Sequence, residues 1–170
     1  MYPDQMEVPR VYGSPSEMIG GIGSVVRSLP QIWSAYRRRR IDPRLREKIM
    51  VAVSEVNACR ACTWAHTRMA IQEGISDEEL DRLQLPHGGD RRQRVALTYA
   101  IARAEAGAHM APDPEIERAL ADTFTAAERR DIDAILRLII NANRTSNTIE
   151  AHTPLIVRRR IERLLSPARP

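Results

Sequence analysis

The residues best suited to chemistry lie in one short stretch, Asn57-Ala58-Cys59-Arg60-Ala61-Cys62-Thr63-Trp64-Ala65-His66. At about 100° per residue, a helix carries Cys62 to roughly 300° and His66 to roughly 700° from Cys59, so all three share one face. An i, i+3 pair in a helix has Cα atoms roughly 5 Å apart, within the span of a disulfide. Such a pair can pass between dithiol and disulfide with little backbone movement. His66, one turn beyond Cys62, is the natural hydrogen-bond neighbour of that sulfur. A thiolate is the nucleophile in thiol chemistry, and an imidazole can take the proton or stabilise the anion. The second thiol then resolves a sulfenic acid or a mixed disulfide. Spacing alone leaves the attacking residue open. Cys59 lies nearer the helix N-terminus, where the dipole favours an anion, whereas Cys62 has His66.

Other chemistries fit this stretch less well. A c-type haem site needs His directly after the second Cys, and Thr63 stands there. A zinc site would need a fourth ligand beyond Cys59, Cys62 and His66, from Glu47 or a distant His. Two inert buried cysteines three apart are the plain structural alternative, which His66 on the same face argues against.

The elements that must position this stretch read as helices throughout. Asp42-Pro43 is an N-cap and first-turn pair, and Leu45, Ile49, Ala52, Val53 and Val56 form one apolar stripe behind it. Asn57 is expected to break this helix and cap the next, from about 58 to 72, which Gly74 ends. Ser76-Asp77-Glu78-Glu79 is a capping box for a short helix reaching about Gln84. Further helices are expected over about 90–106, from Asp113-Pro114 to about Thr123, and from Thr125 through the apolar run Ile132 to Ile140. The polar stretch from Asn141 to Thr148 need not break the last of these, but Pro154 marks a boundary before a final helix over about 155–165.

Upstream, residues 1–13 read as a surface arm. The glycines Gly20, Gly21 and Gly23 weaken a helix from Ser14 to about Leu29. Pro30 is expected to begin a second helix, with Ile32, Trp33 and Tyr36 on one face and Arg37–Arg40 at its end. The chain is therefore expected to be all-α, with residues 14–170 forming one domain in which 14–40 makes a helical lobe. Met18, Met50, Met69 and Met110 are expected as core fillers. His87 and His109 are expected in loops, and His152 near the polar stretch.

Composition narrows the function classes. With 170 residues the chain can bury a core without disulfides or metals. Two Cys exclude a disulfide scaffold. No apolar run long enough to span a membrane occurs, and MYPDQMEVPR lacks the order of a signal peptide, so a cytoplasmic protein is expected. Aromatics at 4%, with Phe124 the only Phe, disfavour an all-β fold or an aromatic nucleic-acid platform. Lys48 is the only lysine among 26 basic residues, and the net charge is +4. The runs Arg37–Arg40 and Arg158–Arg160 sit on no nucleic-acid-binding motif, so solvated helix ends or inter-subunit ion pairs are the expectation.

Residues from Asp42 to about Asp77 resemble the signature region of the carboxymuconolactone decarboxylase superfamily, specifically its alkylhydroperoxidase AhpD-like branch. The resemblance is carried by Arg46-Glu47-Lys48-Ile49, Ala52-Val53-Ser54, Asn57-Ala58-Cys59-Arg60-Ala61-Cys62 and Ala65-His66. Glu47 stands twelve residues before Cys59, then three lead to Cys62 and four to His66. The resemblance implies an all-helical bundle with the active site on a helical hairpin. It implies a homo-oligomer (dimer, trimer or hexamer) and reduction of hydroperoxides. Cys62 would be the attacking thiolate, Cys59 the resolving thiol, and His66 with Glu47 a proton relay. It implies neither metal nor organic cofactor, but an external dithiol donor such as a lipoyl group or a thioredoxin-like protein. Nucleic acid and membrane are not implied. Ala61 stands where the best-studied branch pattern has His between the cysteines, so a relay contribution from that position is absent.

Glu47 by itself reads as a first-turn surface carboxylate. On a straight helix it would lie roughly 120° off the Cys face. Contact requires a break near Asn57 that sets Glu47 on a neighbouring antiparallel helix. Two other function classes stay beside the peroxidase: a non-redox decarboxylase or isomerase of the same superfamily, and a zinc-binding or redox-sensing interaction protein.

Overall fold

The computed structural model describes residues 10–83, 89–106 and 113–154. Among these residues there are seven helices and no strand. They are α1 (Pro15–Arg38), α2 (Pro43–Val56), α3 (Arg60–Gln72), α4 (Asp77–Asp81), α5 (Arg91–Ala106), α6 (Pro114–Thr123) and α7 (Ala126–His152). The anticipated helix after Pro154, His87, His109 and Met110 lie outside the described residues, as does the anticipated end of α4 at Gln84.

The middle of the bundle is α2. Its residues from Glu47 to Ser54 are buried without interruption, because α3, α5 and α7 all pack against it. Ile49 and Val53 meet a core that includes Ala96, Ala100, Ile132, Ile135 and Ile139. Each large aliphatic fully removed from water there contributes about 1.5–3 kcal/mol. The starts of these helices follow the local sequence. Asp42 Oδ1 accepts from the Arg44 and Leu45 amides. Ser76 with Glu79, and Thr125 with Glu128, form reciprocal capping boxes. The helix α7 runs unbroken through the polar stretch, which points Asn143 and Asn147 into the core.

Several expectations for the N-terminal region are corrected. One helix, α1, replaces two, with Pro30 inside it. Pro30 lacks the amide that the Val26 carbonyl would accept from, and both residues are exposed. Contacts with α7 hold the helix on both sides of the proline, since Arg137 Nη1 donates to Ser28 Oγ at 2.9 Å and Gln31 Nε2 to Asp131 Oδ1 at 2.8 Å. Ile32 is buried while Trp33 is 68% exposed, so these two do not share a face. Gly21 is explained by close approach: a Cβ there would come within 2.5 Å of the Tyr12 hydroxyl.

The described end of the arm is tied down rather than loose. Tyr12 is buried, its hydroxyl donating to Asn141 Oδ1 at 2.9 Å and its amide to Thr148 Oγ1 at 3.0 Å. Arg40 is not a solvated helix end, because it forms a bidentate ion pair with the fully buried Asp131 at 2.8 Å. Met69 is exposed, unlike Met50 in the core. No described helix is long and apolar enough to cross a membrane.

Candidate active site

The turn that carries the cysteines is made by the end of α2. The Ala58 amide donates to the Glu55 carbonyl at 2.8 Å, and the Cys59 amide to the Ser54 carbonyl at 2.9 Å. This is the Schellman pattern, which requires a left-handed residue at its second-to-last position. Ala58 takes that conformation, with φ 50°. The end of α3 uses the same bonds, Gly74 to Ile71 and Ile75 to Ala70, but there Gly74 holds the left-handed position at φ 80°. Glycine signals the second turn in the sequence, whereas Ala58 conceals the first. A left-handed alanine costs about 1–2 kcal/mol, which tertiary contacts must offset.

Those contacts come from α7. Asn147 Nδ2 donates to the Asn57 carbonyl at 2.8 Å, and Asn143 Nδ2 to the Val53 carbonyl at 3.3 Å. Asn143 Oδ1 lies 3.2 Å from the Ser54 hydroxyl. The asparagines thus cap the last carbonyls of α2, and all of these groups are buried. The Asn57 side-chain amide is also buried, without a hydrogen-bond partner among the described residues.

Cys59 is consequently not a helical residue. It is the N-cap of α3, with its sulfur accepting from the Cys62 amide at 3.4 Å. Cap and helix break were both expected at Asn57; the cap falls two residues later because the Schellman turn consumes Asn57 and Ala58. The three residues therefore do not share a single helical face, although Cys62 and His66 do. Cys59 and Cys62 form a disulfide with Cα atoms 5.3 Å apart. Cys59 is 1% exposed while Cys62 is only partly covered. Cys62 stands in the first turn of α3, where unpaired amides and the helix dipole favour a thiolate.

Glu47 is not a surface carboxylate. It is 2% exposed on the antiparallel neighbour α2, and its Oε2 lies 3.0 Å from His66 Nδ1. All four residues expected at the site are thereby brought to one hairpin. Burial pushes the Glu47 carboxyl up, but the bonds from His66 and Arg46 outweigh it and hold the pKa below the ordinary carboxylate value. An ionised carboxylate only accepts, so His66 Nδ1 carries the proton that meets Glu47 Oε2.

Spacing did not single out the groups around Glu47. Arg46 Nε donates to Glu47 Oε1 at 2.9 Å, and its guanidinium lies over the Tyr36 ring at 4.5 Å. The Tyr36 hydroxyl lies 3.8 Å from the Met50 sulfur, and burial raises its pKa. Trp64 is half-buried beneath Arg68, which lies 5.0 Å from its ring. His152 bonds the Thr148 carbonyl on the exposed last turn of α7. Among the described residues no group of three or more His, Cys, Asp and Glu side chains is arranged to hold a metal ion.

A family model, that of the carboxymuconolactone decarboxylase family, matches residues 31–102, a span from the second half of α1 into α5 that includes Glu47, Cys59, Cys62 and His66. Searches of curated proteins and of solved structures gave no match. The region that bears the whole candidate site is thus similar to the carboxymuconolactone decarboxylase family.

Proposed function

We propose that this protein is a thiol-dependent peroxidase or disulfide oxidoreductase of the AhpD-like kind. The observation that carries the reading is the Glu47–His66 pair one turn from a cysteine that is disulfide-linked to a buried second cysteine. In the reduced protein, His66 Nε2 takes the Cys62 proton, and Glu47 stabilises the imidazolium that results. The Cys62 thiolate attacks the terminal oxygen of a hydroperoxide. The O–O bond breaks, the alkoxide leaves as alcohol with the proton from His66, and Cys62 becomes a sulfenic acid. The Cys59 sulfur then displaces hydroxide, water is released, and the disulfide closes. An external dithiol of the lipoyl or thioredoxin-like class reduces it, itself ending as a disulfide. No metal or organic cofactor takes part, and a thiol-reducing compartment such as the cytoplasm would supply the donor.

The test is a thiol titration of the reduced protein before and after one equivalent of an organic hydroperoxide. The expected result is loss of both thiols with an intramolecular disulfide, and no such loss in Cys62→Ser. Retention of both thiols would reject the mechanism. Turnover of another substrate that is indifferent to thiol alkylation would instead favour a non-redox decarboxylase or isomerase. Stoichiometric zinc lost with Cys59→Ser would favour a binding protein.

A further inference from the structure

A polar cleft of about 390 Å³ lies where α1, α5 and α7 meet. Ser24 lines it from α1, Tyr99 and Arg103 from α5, and Asp133, Arg137 and Arg144 from α7. The three α7 residues stand four and seven apart, which puts them on one face of that helix. No residue of α2 or α3 lines the cleft, so it is separate from the cysteines and the Glu47–His66 pair. Its size falls within the range of small-molecule sites, about 300–1,000 Å³. Three guanidiniums face one carboxylate across it.

We propose that this cleft binds a small organic dianion, a dicarboxylate or a phosphomonoester, through the guanidiniums of Arg103, Arg137 and Arg144. The planar fork of an arginine matches the oxygens of either group. Arg137 is the residue that matters most, because it meets no carboxylate among the described residues. Its Nη1 donates to Ser28 Oγ at 2.9 Å, which leaves the N–H groups of Nε and Nη2 for a ligand. Arg144 is set in place beforehand. Its guanidinium lies 4.3 Å from the Tyr12 ring, and Nη2 donates to the Val11 carbonyl at 3.1 Å and to Glu17. A cation already fixed by its neighbours loses little freedom when an anion arrives.

The acid in the lining is already engaged. The Tyr99 hydroxyl donates to Asp133 Oδ1 at 2.9 Å. Tyr99 is buried, and burial together with the Asp133 charge raises its pKa, so the hydroxyl keeps its proton and goes on donating. Glu17 offsets part of the Arg144 charge from outside the lining. With Glu17 counted beside Asp133, three guanidiniums still outnumber two carboxylates. This inference stands apart from the redox reading.

Isothermal titration of the full chain at fixed ionic strength should show saturable one-to-one binding of glutarate or of glycerol 3-phosphate. The tighter of the two tells whether carboxylate or phosphate is the anionic group. Arg137→Gln should weaken that binding by about tenfold or more. The side chain is exposed, so the fold should survive, with an unchanged far-ultraviolet spectrum. Asp133→Asn should instead tighten binding by about threefold or more, because it removes the acid of the lining and keeps an oxygen for the Tyr99 hydroxyl. Arg130→Gln removes an exposed charge from α7 outside the cleft and should change the affinity by less than about twofold. Binding of neither probe, or affinity unaltered in Arg137→Gln, would overturn the proposal. So would equal weakening in Arg130→Gln, weaker binding in Asp133→Asn, or inorganic sulfate bound as tightly as either probe, which would mean an adventitious ion only.

Discussion

Glu47 on α2 and His66 on α3 are joined through Oε2 and Nδ1 at 3.0 Å, across the hairpin whose turn places the disulfide. The bond sets a proton on Nδ1 and leaves the opposite ring nitrogen clear of Glu47. Replacing Glu47 by Gln keeps the shape but removes the charge that stabilises an imidazolium. Second-order rate constants for Cys62 with an organic hydroperoxide at pH 7 should fall by about tenfold to a hundredfold. His66→Ala should fall at least as far, and the double variant no further than His66→Ala, because the two act as one unit. Additive losses in stopped-flow measurements would show that the residues act separately.

Cys62 is partly exposed in a helix first turn, and Cys59 is buried as its cap. With limiting iodoacetamide, the reduced protein should be alkylated at Cys62 at least about tenfold faster than at Cys59, since both access and thiolate fraction favour it. Peptide mass mapping over time gives the ratio directly. Preferential labelling of Cys59 would reverse the assigned roles.

Arg46 bonds Glu47 on the side away from His66. The folded-state pKa of Glu47 lies below its ordinary value of 4.5. The stabilisation from that shift is therefore present above about pH 4.5 and is lost as pH falls through the depressed value. In Arg46→Gln the carboxyl loses one of its two partners and its pKa rises, so loss of stability and of thiol reactivity should both begin at higher pH than in the wild type. Thermal midpoints from pH 7 to pH 3, with matched alkylation rates, test this. Superimposable profiles would remove Arg46 from the site.

The left-handed Ala58 makes an opposite prediction for stability. Ala58→Gly relieves the Cβ penalty but adds freedom to the unfolded chain, so a net gain of about 0.5–1 kcal/mol is expected from urea unfolding of the oxidised protein. Asn147→Ala should instead cost about 1–3 kcal/mol by leaving the Asn57 carbonyl buried without that donor. Because Asn147 acts on the turn and not on the sulfurs, the variant should also shift the dithiol–disulfide equilibrium against a glutathione buffer. An unshifted equilibrium would confine Asn147 to a purely structural role.

Much of this architecture was legible one turn at a time. Asp42-Pro43, Ser76 with Glu79, and Thr125 with Glu128 mark helix starts because capping depends on side chains within three residues of each other. Gly74 marks a helix end because only its missing Cβ makes a left-handed residue free of strain. Only the family resemblance, and not the helical spacing, set Glu47 beside the cysteines and His66. What the chain's local chemistry could not reveal was decided across helices. Ala58 could be left-handed, and Cys59 a buried cap, only because Asn143 and Asn147, some ninety residues away, meet the last carbonyls of α2. Glu47 reads as a surface carboxylate until α3 folds back over it and His66 and Arg46 supply its partners. Pro30 reads as a helix start until α7 holds both halves of α1 in line. Periodicity and caps are properties of neighbours in sequence; burial, ionisation and strain belong to neighbours in space, which only the packed bundle brings together.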